Sequence, residues 1–212
     1  MYRPDSIIFD VDGTLWDSRE SVAAAWNHAL RRNSDLDITL EPESLGKLFG
    51  KTMTEIADAL FPGMEPASRM ALLEKCYEYE NLYLEDHPGI LYEGVRETIQ
   101  ALALEYPLYI VSNCQCGYIE VLLKTTGLSS CIRDHLCFGE TLTPKSETIR
   151  KLAERNRLKA PVYVGDTQGD ADSCAAAGIP FIFASYGLGD VPDAGMRIER
   201  FSELRDIRTF FS

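Results

Sequence analysis

The sequence predicts an α/β fold: a doubly wound, Rossmann-like core built on a parallel sheet, with an all-helical cap domain inserted into it. The first observation is a set of five short apolar runs without alternation, as expected of strands buried on both faces. The second is that helical patterns separate the last four runs. The third is a much longer helical stretch between the first two. The runs cover residues 6–9, 108–112, 136–138, 162–164 and 181–184.

The first run leads directly into the acidic segment Asp10-Val11-Asp12-Gly13-Thr14. Ligands of open α/β sheets bind at the carboxyl edge, so both carboxylates are expected at a binding site. Gly13 allows the chain to turn sharply there. One carboxylate can then attack a substrate while the other transfers protons. The segment therefore indicates chemistry through a covalent aspartyl intermediate.

The stretch between the first two runs is too long for a single crossover, and it is predicted to be helical throughout, from about residue 18 to about residue 86. Thr52 and Glu55 match a capping box that opens a helix ending near residues 61–63. The apolar faces before and after it consist of Val22, Trp26, Ala29 and Leu30, and of Met70, Leu73, Tyr77 and Leu84. Pro88-Gly89 breaks the chain before the core resumes. We therefore predict a core of residues 1–16 and 87–212 and a cap of residues 17–86 that covers the site as a lid.

The helices of the core are predicted from apolar spacing and end signals. The apolar positions are Val95, Ile99 and Leu102 before the second strand, and Ile119, Leu122 and Leu123 after it. Gly127 is a stop signal for the second of these helices. Thr143 is expected as the N-cap of the next helix, with Pro144 at its first position. A last helix is predicted over residues 170–177, closed by Gly178.

Composition excludes several classes of protein. The 212 residues carry a net charge of −12 and are 45% hydrophobic, as expected of a globular chain with one good-sized core. We find no basic stripe of the kind that binds nucleic acid and no apolar run near the ~20 residues that cross a bilayer. The first residues show no signal-peptide pattern, so we expect a cytoplasmic protein, as a monomer or weak homodimer.

The six cysteines are expected to be free thiols in that compartment. Cys114 and Cys116 form the only close pair, which is weak evidence for a metal site because a tetrahedral site needs four ligands. The net negative charge of the chain does not exclude an anionic substrate. A phosphate site among many carboxylates instead implies a bound cation.

Polar residues follow four predicted strand ends or helix starts. They are Asp10 and Asp12, then Ser112 and Asn113, then Lys145, and finally Asp166 through Asp170. Any one of these polar segments is weak evidence for a catalytic site, but the four in this order are strong evidence. Here the chain resembles the haloacid-dehalogenase-like hydrolases over essentially its whole length, and among them the phosphatases with an inserted helical cap.

The resemblance implies a role for each matching residue. Asp10 would be the nucleophile that accepts the phosphoryl group. Asp12 would protonate the leaving oxygen and then act as a base toward water. Ser112 and the main-chain N–H of Asn113 would hold phosphate oxygens. Lys145 would neutralise the nucleophile and the transferring group.

The resemblance also implies a Mg²⁺ site. Asp166, a carboxylate oxygen of Asp10 and the main-chain carbonyl of Asp12 would bind the ion. Asp170 would support the site through water or by orienting Lys145, and it could also cap the helix that follows. Elementary electrostatics agrees, because a carboxylate that attacks a phosphate dianion meets like-charge repulsion that Mg²⁺ and a lysine cancel. Oxygen ligands without histidine suit Mg²⁺.

Three functions stay open at this point. Asp12 favours a phosphate substrate, because the dehalogenases of the family lack this residue, and the chain most resembles phosphoglycolate-phosphatase-like enzymes acting on a small phosphorylated metabolite, either phosphoglycolate-like or a sugar phosphate. The first alternative is a sugar-phosphate mutase, whose cap carries a basic residue where this chain has Met53, although Lys51 is near. The second is a non-catalytic binding protein on the same fold.

Substrate discrimination is expected from the cap. The candidate residues are Gly50 and Lys51 in a cap loop and Trp16 at the hinge, where a packing role between cap and core is the other interpretation. The chain departs from its relatives at Cys114-Gln115, where a basic residue often follows the serine. This departure argues against assigning the substrate of any one relative to this chain.

Overall fold

A computed structural model describes residues 2–211. The strands are β1 Ser6–Phe9, β2 Trp16–Asp17, β3 Ile90–Leu91, β4 Leu108–Ser112, β5 Ile132–Cys137, β6 Pro161–Gly165, β7 Phe181–Ala184 and β8 Arg197–Ile198. The α-helices are α1 Arg19–Asn33, α2 Pro42–Gly46, α3 Met53–Leu60, α4 Pro66–Asp86, α5 Val95–Leu102, α6 Tyr118–Thr126, α7 Phe138–Thr141, α8 Lys145–Asn156 and α9 Gln168–Ala177. A 3₁₀ segment covers Phe201–Phe211.

Six strands form one sheet in the order β5-β4-β1-β6-β7-β8, and all of their pairings are parallel. The chain moves from β1 outward to β5 and then returns to the other side of β1 with β6. The strand order therefore reverses between β1 and β6. Ligands bind at the carboxyl ends of strands beside such a reversal. The structure thus confirms the doubly wound fold and places the ends of β1 and β6 at its binding crevice.

Successive residues of β1 point to opposite faces of the sheet and enter two different cores. Ile7 and Phe9 belong to a large cluster with α5, α6 and the 3₁₀ segment, whereas Ile8 belongs to a smaller cluster with α8 and α9. Helices therefore cover both faces, and all four residues of β1 are buried. This explains why the strand is a continuous apolar run.

Helices α1 to α4 enclose a third hydrophobic cluster of their own, which includes Trp26, Ile56 and Leu73. The chain enters this helical unit through β2 and leaves it through β3, and these two strands pair antiparallel, with Trp16 opposite Leu91. A two-stranded ribbon therefore joins the helical unit to the core. The boundaries of the cap at residues 17 and 86 stay a prediction.

Several expected elements differ in detail. The cap is not helical throughout, since residues 34–41 and 47–52 lie outside its helices. The third run, expected at 136–138, is a strand that begins earlier, at Ile132, and Phe138 already starts α7. This is an edge strand, and its first residues, which include Arg133 and Asp134, are half-buried or exposed. An apolar run could not reveal them.

Two helix starts are also shifted. Pro144 is the N-cap of α8 rather than its first residue, so Thr143 lies outside the helix. Helix α9 begins at Gln168, with Thr167 as its N-cap. The capping box at Thr52 and the stops at Gly127 and Gly178 are confirmed. Within residues 2–211, no helix combines the length and apolar character needed to cross a membrane.

Candidate active site

The loop after β1 turns at Gly13, which adopts a φ of +80°. A Cβ atom at this position would lie 2.0 Å from a carboxylate oxygen of Asp166. Only glycine therefore lets the loop after β1 approach the residue that follows β6. Because of this approach, the acidic side chains from both strands meet at the crevice where the strand order reverses.

Three buried carboxylates and one lysine form an acid–lysine cluster: Asp10, Asp166, Asp170 and Lys145. The Lys145 Nζ atom donates to Asp10 Oδ1 at 2.8 Å and to Asp170 Oδ1 at 2.6 Å. Burial by itself lowers the pKa of Lys145, but Asp10 and Asp170 outweigh it, so the pKa is raised and the lysine stays charged. Burial raises the pKa of Asp10 well above its usual range, which Lys145 only partly offsets.

The cluster is short of positive charge. Carboxylate oxygens of Asp10, Asp166 and Asp170 lie within 4.8 Å of one another, and Lys145 neutralises only one of the three when all are ionised. Burial, followed by the charge of Asp170, raises the pKa of Asp166 to about 7. A divalent cation with oxygen ligands would balance this charge. The donor set therefore fits Mg²⁺.

Asp166 and Asp170 differ in how their oxygens are held. Asp166 accepts from Thr14 Oγ1 at 3.2 Å and from the main-chain N–H groups of Leu188 and Gly189 at 2.8 and 3.2 Å. Asp170 gives one oxygen to Lys145 and the other to the N–H and hydroxyl of Thr167 in a capping box. Asp170 thus caps α9 and orients the lysine at once, which leaves Asp10 and Asp166 as the side chains better placed to hold a metal ion.

The Asp12 side chain lies in a different network. Its Oδ1 atom accepts from Trp16 Nε1 at 3.0 Å, from Ser18 Oγ at 2.7 Å and from Tyr118 Oη at 2.7 Å. Burial raises the pKa of Asp12, and the hydrogen bonds from Tyr118, Ser18 and Trp16 counteract it. The two aspartates of one loop therefore have separate environments, one beside a cation and one held by neutral donors. Such a division suits a nucleophile and a proton-transfer group.

Sequence reasoning missed two of the Asp12 partners. Ser18 is the residue before α1, where a serine is expected to cap the helix. Its side chain, however, makes no cap hydrogen bond. Tyr118 is 106 residues from Asp12 in the chain, and no local sequence pattern predicts the contact between them. Only the return of β4 beside β1 brings the two together.

The phosphate-binding candidates end β4. Ser112 is 5% exposed and lies beside Asn113 in the wall of a pocket that also contains Asp10 and Asp12. The side-chain amide of Asn113 donates to the main-chain carbonyl of Gly50 at 2.7 Å. The cap loop predicted to discriminate substrates therefore contacts the core directly over the site.

Gly50 and Lys51 both line this pocket, whereas Trp16 is not among its lining residues within the part of the chain described. Trp16 is fully buried behind Asp12 and contacts the Tyr118 ring edge-on at 5.6 Å between centroids. Its contacts are those of a residue that positions Asp12. The cavity volume of the pocket is about 30 Å³, room for about two water molecules, so a phosphomonoester would require the pocket to widen.

The wall formed with the cap holds a carboxyl group that the sequence did not single out. Glu80 of α4 is 3% exposed and accepts from the Trp26 indole N–H and from Gln115 Nε2. Burial raises the pKa of Glu80 to about 8. A glutamate within a helix rich in charged residues gives no sign in the sequence that it is buried.

Comparison with known proteins agrees with this geometry. Residues 7–184 match the family model of haloacid dehalogenase-like hydrolases. A phosphoglycolate phosphatase of Chromobacterium violaceum is 28% identical over 218 residues, which is 95% of each chain. Another, of Xanthomonas campestris pv. campestris, is 30% identical over 199 residues, 90% of this chain and 88% of the relative. The solved structure of a haloacid dehalogenase-like family hydrolase from Streptococcus pneumoniae has the same fold, with a TM-score of 0.80 at 15% identity over 99% of both chains.

Proposed function

The chain belongs to the haloacid dehalogenase-like hydrolase family, and we propose that it is a Mg²⁺-dependent phosphatase that cleaves a small phosphomonoester through an aspartyl-phosphate intermediate. The observation that carries the proposal is the separation of the two loop aspartates. Asp10 lies 2.8 Å from a buried lysine, whereas Asp12 is held two residues away by three neutral donors. The relatives named phosphoglycolate phosphatase support the same class of reaction.

In the first step a carboxylate oxygen of Asp10 attacks phosphorus, and the ester oxygen leaves with a proton from Asp12. In the second step Asp12, now ionised, takes a proton from water as that water attacks the aspartyl phosphate, which releases phosphate and restores Asp10. Ser112 and the main-chain N–H of Asn113 hold phosphate oxygens. Lys145 stays charged beside Asp10 and stabilises the transferring group.

Mg²⁺ held by Asp10, Asp166 and the main-chain carbonyl of Asp12 would neutralise charge on the phosphoryl group and on the cluster. Asp170 keeps Lys145 directed at Asp10. The remaining steps depend on burial, because electrostatic interactions strengthen where water is excluded. Closure of the cap loop at Gly50 over the pocket supplies that exclusion.

A sugar-phosphate mutase is the second candidate, since Lys51 lines the pocket and could contact a second phosphate. Met53, at the position where the mutases carry a basic residue, is nearly buried and lines the same pocket. An apolar side chain there disfavours a second phosphate group. All of Asp10, Asp12, Lys145 and Asp166 are present, which argues against a non-catalytic binding protein. The proposal includes a cytoplasmic location and action as a monomer or weak homodimer.

The test is phosphate release by the purified protein from a panel of phosphoglycolate, sugar phosphates, nucleotides and pyrophosphate, with Mg²⁺ and with a chelator. Release that requires Mg²⁺ supports the proposal. Isomerisation of a sugar phosphate without net release supports the mutase. A folded protein that turns over no member of the panel contradicts both.

A further inference from the structure

One part of the pocket wall is built by the cap and the core together. Trp26 of α1 and Glu80 of α4 come from the cap side, and Gln115 comes from the loop after β4. Resting on the phosphatase function above, we propose that Glu80 and Gln115 form the subsite for the leaving group. This subsite selects a phosphomonoester whose leaving group donates hydrogen bonds, through a hydroxyl or an ammonium, and rejects one that carries a carboxylate.

The first support is that Glu80 is fixed at both oxygens and still has acceptor capacity. The Gln115 Nε2 atom donates to Glu80 Oε1 at 3.2 Å, and the Trp26 indole N–H donates to Oε2. Gln115 also donates to Asn81 Oδ1 at 3.0 Å, and Asn81 donates to the Cys116 carbonyl at 2.8 Å. A carboxylate accepts about four hydrogen bonds, so two acceptor positions are left for a ligand.

The second support is the balance of charge around the subsite. The groups that act on Glu80 are Trp26, Gln115 and the negative charge of Asp12; within residues 2–211, no lysine, arginine or histidine pairs with it. Lys51 is the one basic side chain among the described residues that line the pocket, and it is exposed. Once Glu80 is ionised, above its pKa of about 8, a substrate carboxylate would therefore meet a second carboxylate in a buried site, where like charges repel most strongly.

The third support is another acceptor without a donor. The Oδ1 atom of Asn113, a lining residue of the same pocket, is buried and has no hydrogen-bond partner in residues 2–211. A buried acceptor left unpaired costs free energy that a ligand donor recovers. A leaving group with a hydroxyl or ammonium at its far end matches these features.

Four phosphate esters of similar length test the proposal: phosphoethanolamine, 2-hydroxyethyl phosphate, propyl phosphate and phosphoglycolate. The first three share a two-carbon spacer and differ in the far group, which is an ammonium, a hydroxyl or a methyl; phosphoglycolate carries a carboxylate on a spacer one methylene shorter. We expect kcat/KM, measured with Mg²⁺ at a pH above the Glu80 pKa of about 8, to be about ten- to a hundredfold higher for the ammonium and hydroxyl esters than for phosphoglycolate, as one hydrogen bond to a charged group gives. Equal values, or a preference for phosphoglycolate, would overturn the proposal.

The variant Glu80→Gln assigns the preference to this residue. We expect the ratio of kcat/KM for phosphoethanolamine to that for phosphoglycolate to fall about tenfold, because the like charge is removed and a donor is added. Glu78→Gln, on the same helix with a side chain 61% exposed, is the matched control and should keep the wild-type ratio. An unchanged ratio in a folded Glu80→Gln protein contradicts the assignment.

A second variant covers the case in which Glu80→Gln does not fold. Gln115→Lys places a cation against Glu80 and should shift the preference toward phosphoglycolate, whereas an unchanged preference would contradict the subsite. The phosphatase function and the leaving-group subsite are contradicted by different results. If folded wild-type protein with Mg²⁺ hydrolyses none of the four esters, the phosphatase function is wrong and the subsite falls with it. If it prefers phosphoglycolate, the function stands and the subsite is wrong.

Discussion

The acid–lysine cluster, which reaches the pocket through Asp10, and Glu80, which lines the same pocket, are stabilised in opposite ways. The acid–lysine cluster pairs Lys145 with Asp10 at 2.8 Å and with Asp170 at 2.6 Å, and Asp166 lies beside them. Glu80 is equally buried, and its hydrogen-bond donors among residues 2–211 are the neutral groups of Trp26 and Gln115. Under the functions proposed above, the acid–lysine cluster would serve reaction with any phosphate ester, and Glu80 would select among leaving groups.

The largest expected effect is at the acid–lysine cluster. Asp10→Asn should reduce kcat on the order of 10⁴-fold or more for every substrate, as removal of a covalent nucleophile does, while circular dichroism shows an intact fold. Asp172→Asn, an exposed aspartate of α9, is the control and should retain activity. Activity near the wild-type level in Asp10→Asn would place the nucleophile elsewhere and remove the distinction between the two groups of acids.

Asp166→Ala tests whether Mg²⁺ balances the charge of the acid–lysine cluster. We expect activity and apparent Mg²⁺ affinity to fall together by at least ~100-fold, since even an indirect partner of a metal ligand is worth 10- to 100-fold. In wild-type protein Mg²⁺ should raise the melting temperature, because a ligand that binds only the folded state stabilises it. This shift should disappear in Asp166→Ala and persist in Asp172→Ala. A normal Mg²⁺ titration of the variant would locate the ion at other residues.

Tyr118→Phe affects Asp12, the proposed proton-transfer residue, which lines the pocket together with Asp10 and Glu80. Loss of the hydroxyl removes a hydrogen bond that lowers the pKa of Asp12, so this pKa rises. Because Asp12 must be protonated in the first step, the basic limb of the kcat/KM profile should move to higher pH, with kcat falling about tenfold. Tyr109→Phe, a buried tyrosine of β4 away from the pocket, is the control. A shift of the limb to lower pH, or none, would remove Tyr118 from this role.

A further expected effect is a pH dependence of stability that belongs to Glu80. Its pKa is about 8 in the folded protein against an ordinary 4.5, so between these values the folded state keeps a proton that the unfolded state has lost. The free energy of unfolding therefore falls as pH rises from about 4.5 to about 8, by about 1.4 kcal/mol per pH unit, and is level above.

Urea unfolding of wild type and Glu80→Gln across this range isolates the effect, because the contribution of Asp166 is common to both and cancels. The variant should lack the Glu80 slope, and Glu78→Gln should retain it. Parallel curves for wild type and Glu80→Gln would show that Glu80 ionises freely in the folded protein. In that case the contrast between the two groups of acids would be lost.

The sequence reveals the residues next to strand ends better than the residues that complete the site. Strands buried on both faces are apolar runs, and the segment at Asp10, the serine at 112 and the loop at Asp166 follow from their position after such runs. The contact of Tyr118 with Asp12 depends on strand order, and the burial of Glu80 depends on how α4 packs on α1 and the loop after β4. Neither leaves a local pattern, because both contacts join segments far apart in the chain.

Trp16 belongs to two structures at once. Its main chain pairs with Leu91 in the ribbon that carries the cap, and its indole N–H donates to Asp12. A bend of this ribbon would therefore displace a hydrogen-bond donor of Asp12. If the cap opens by such a bend, the proposed proton donor is fully held only while the pocket is closed.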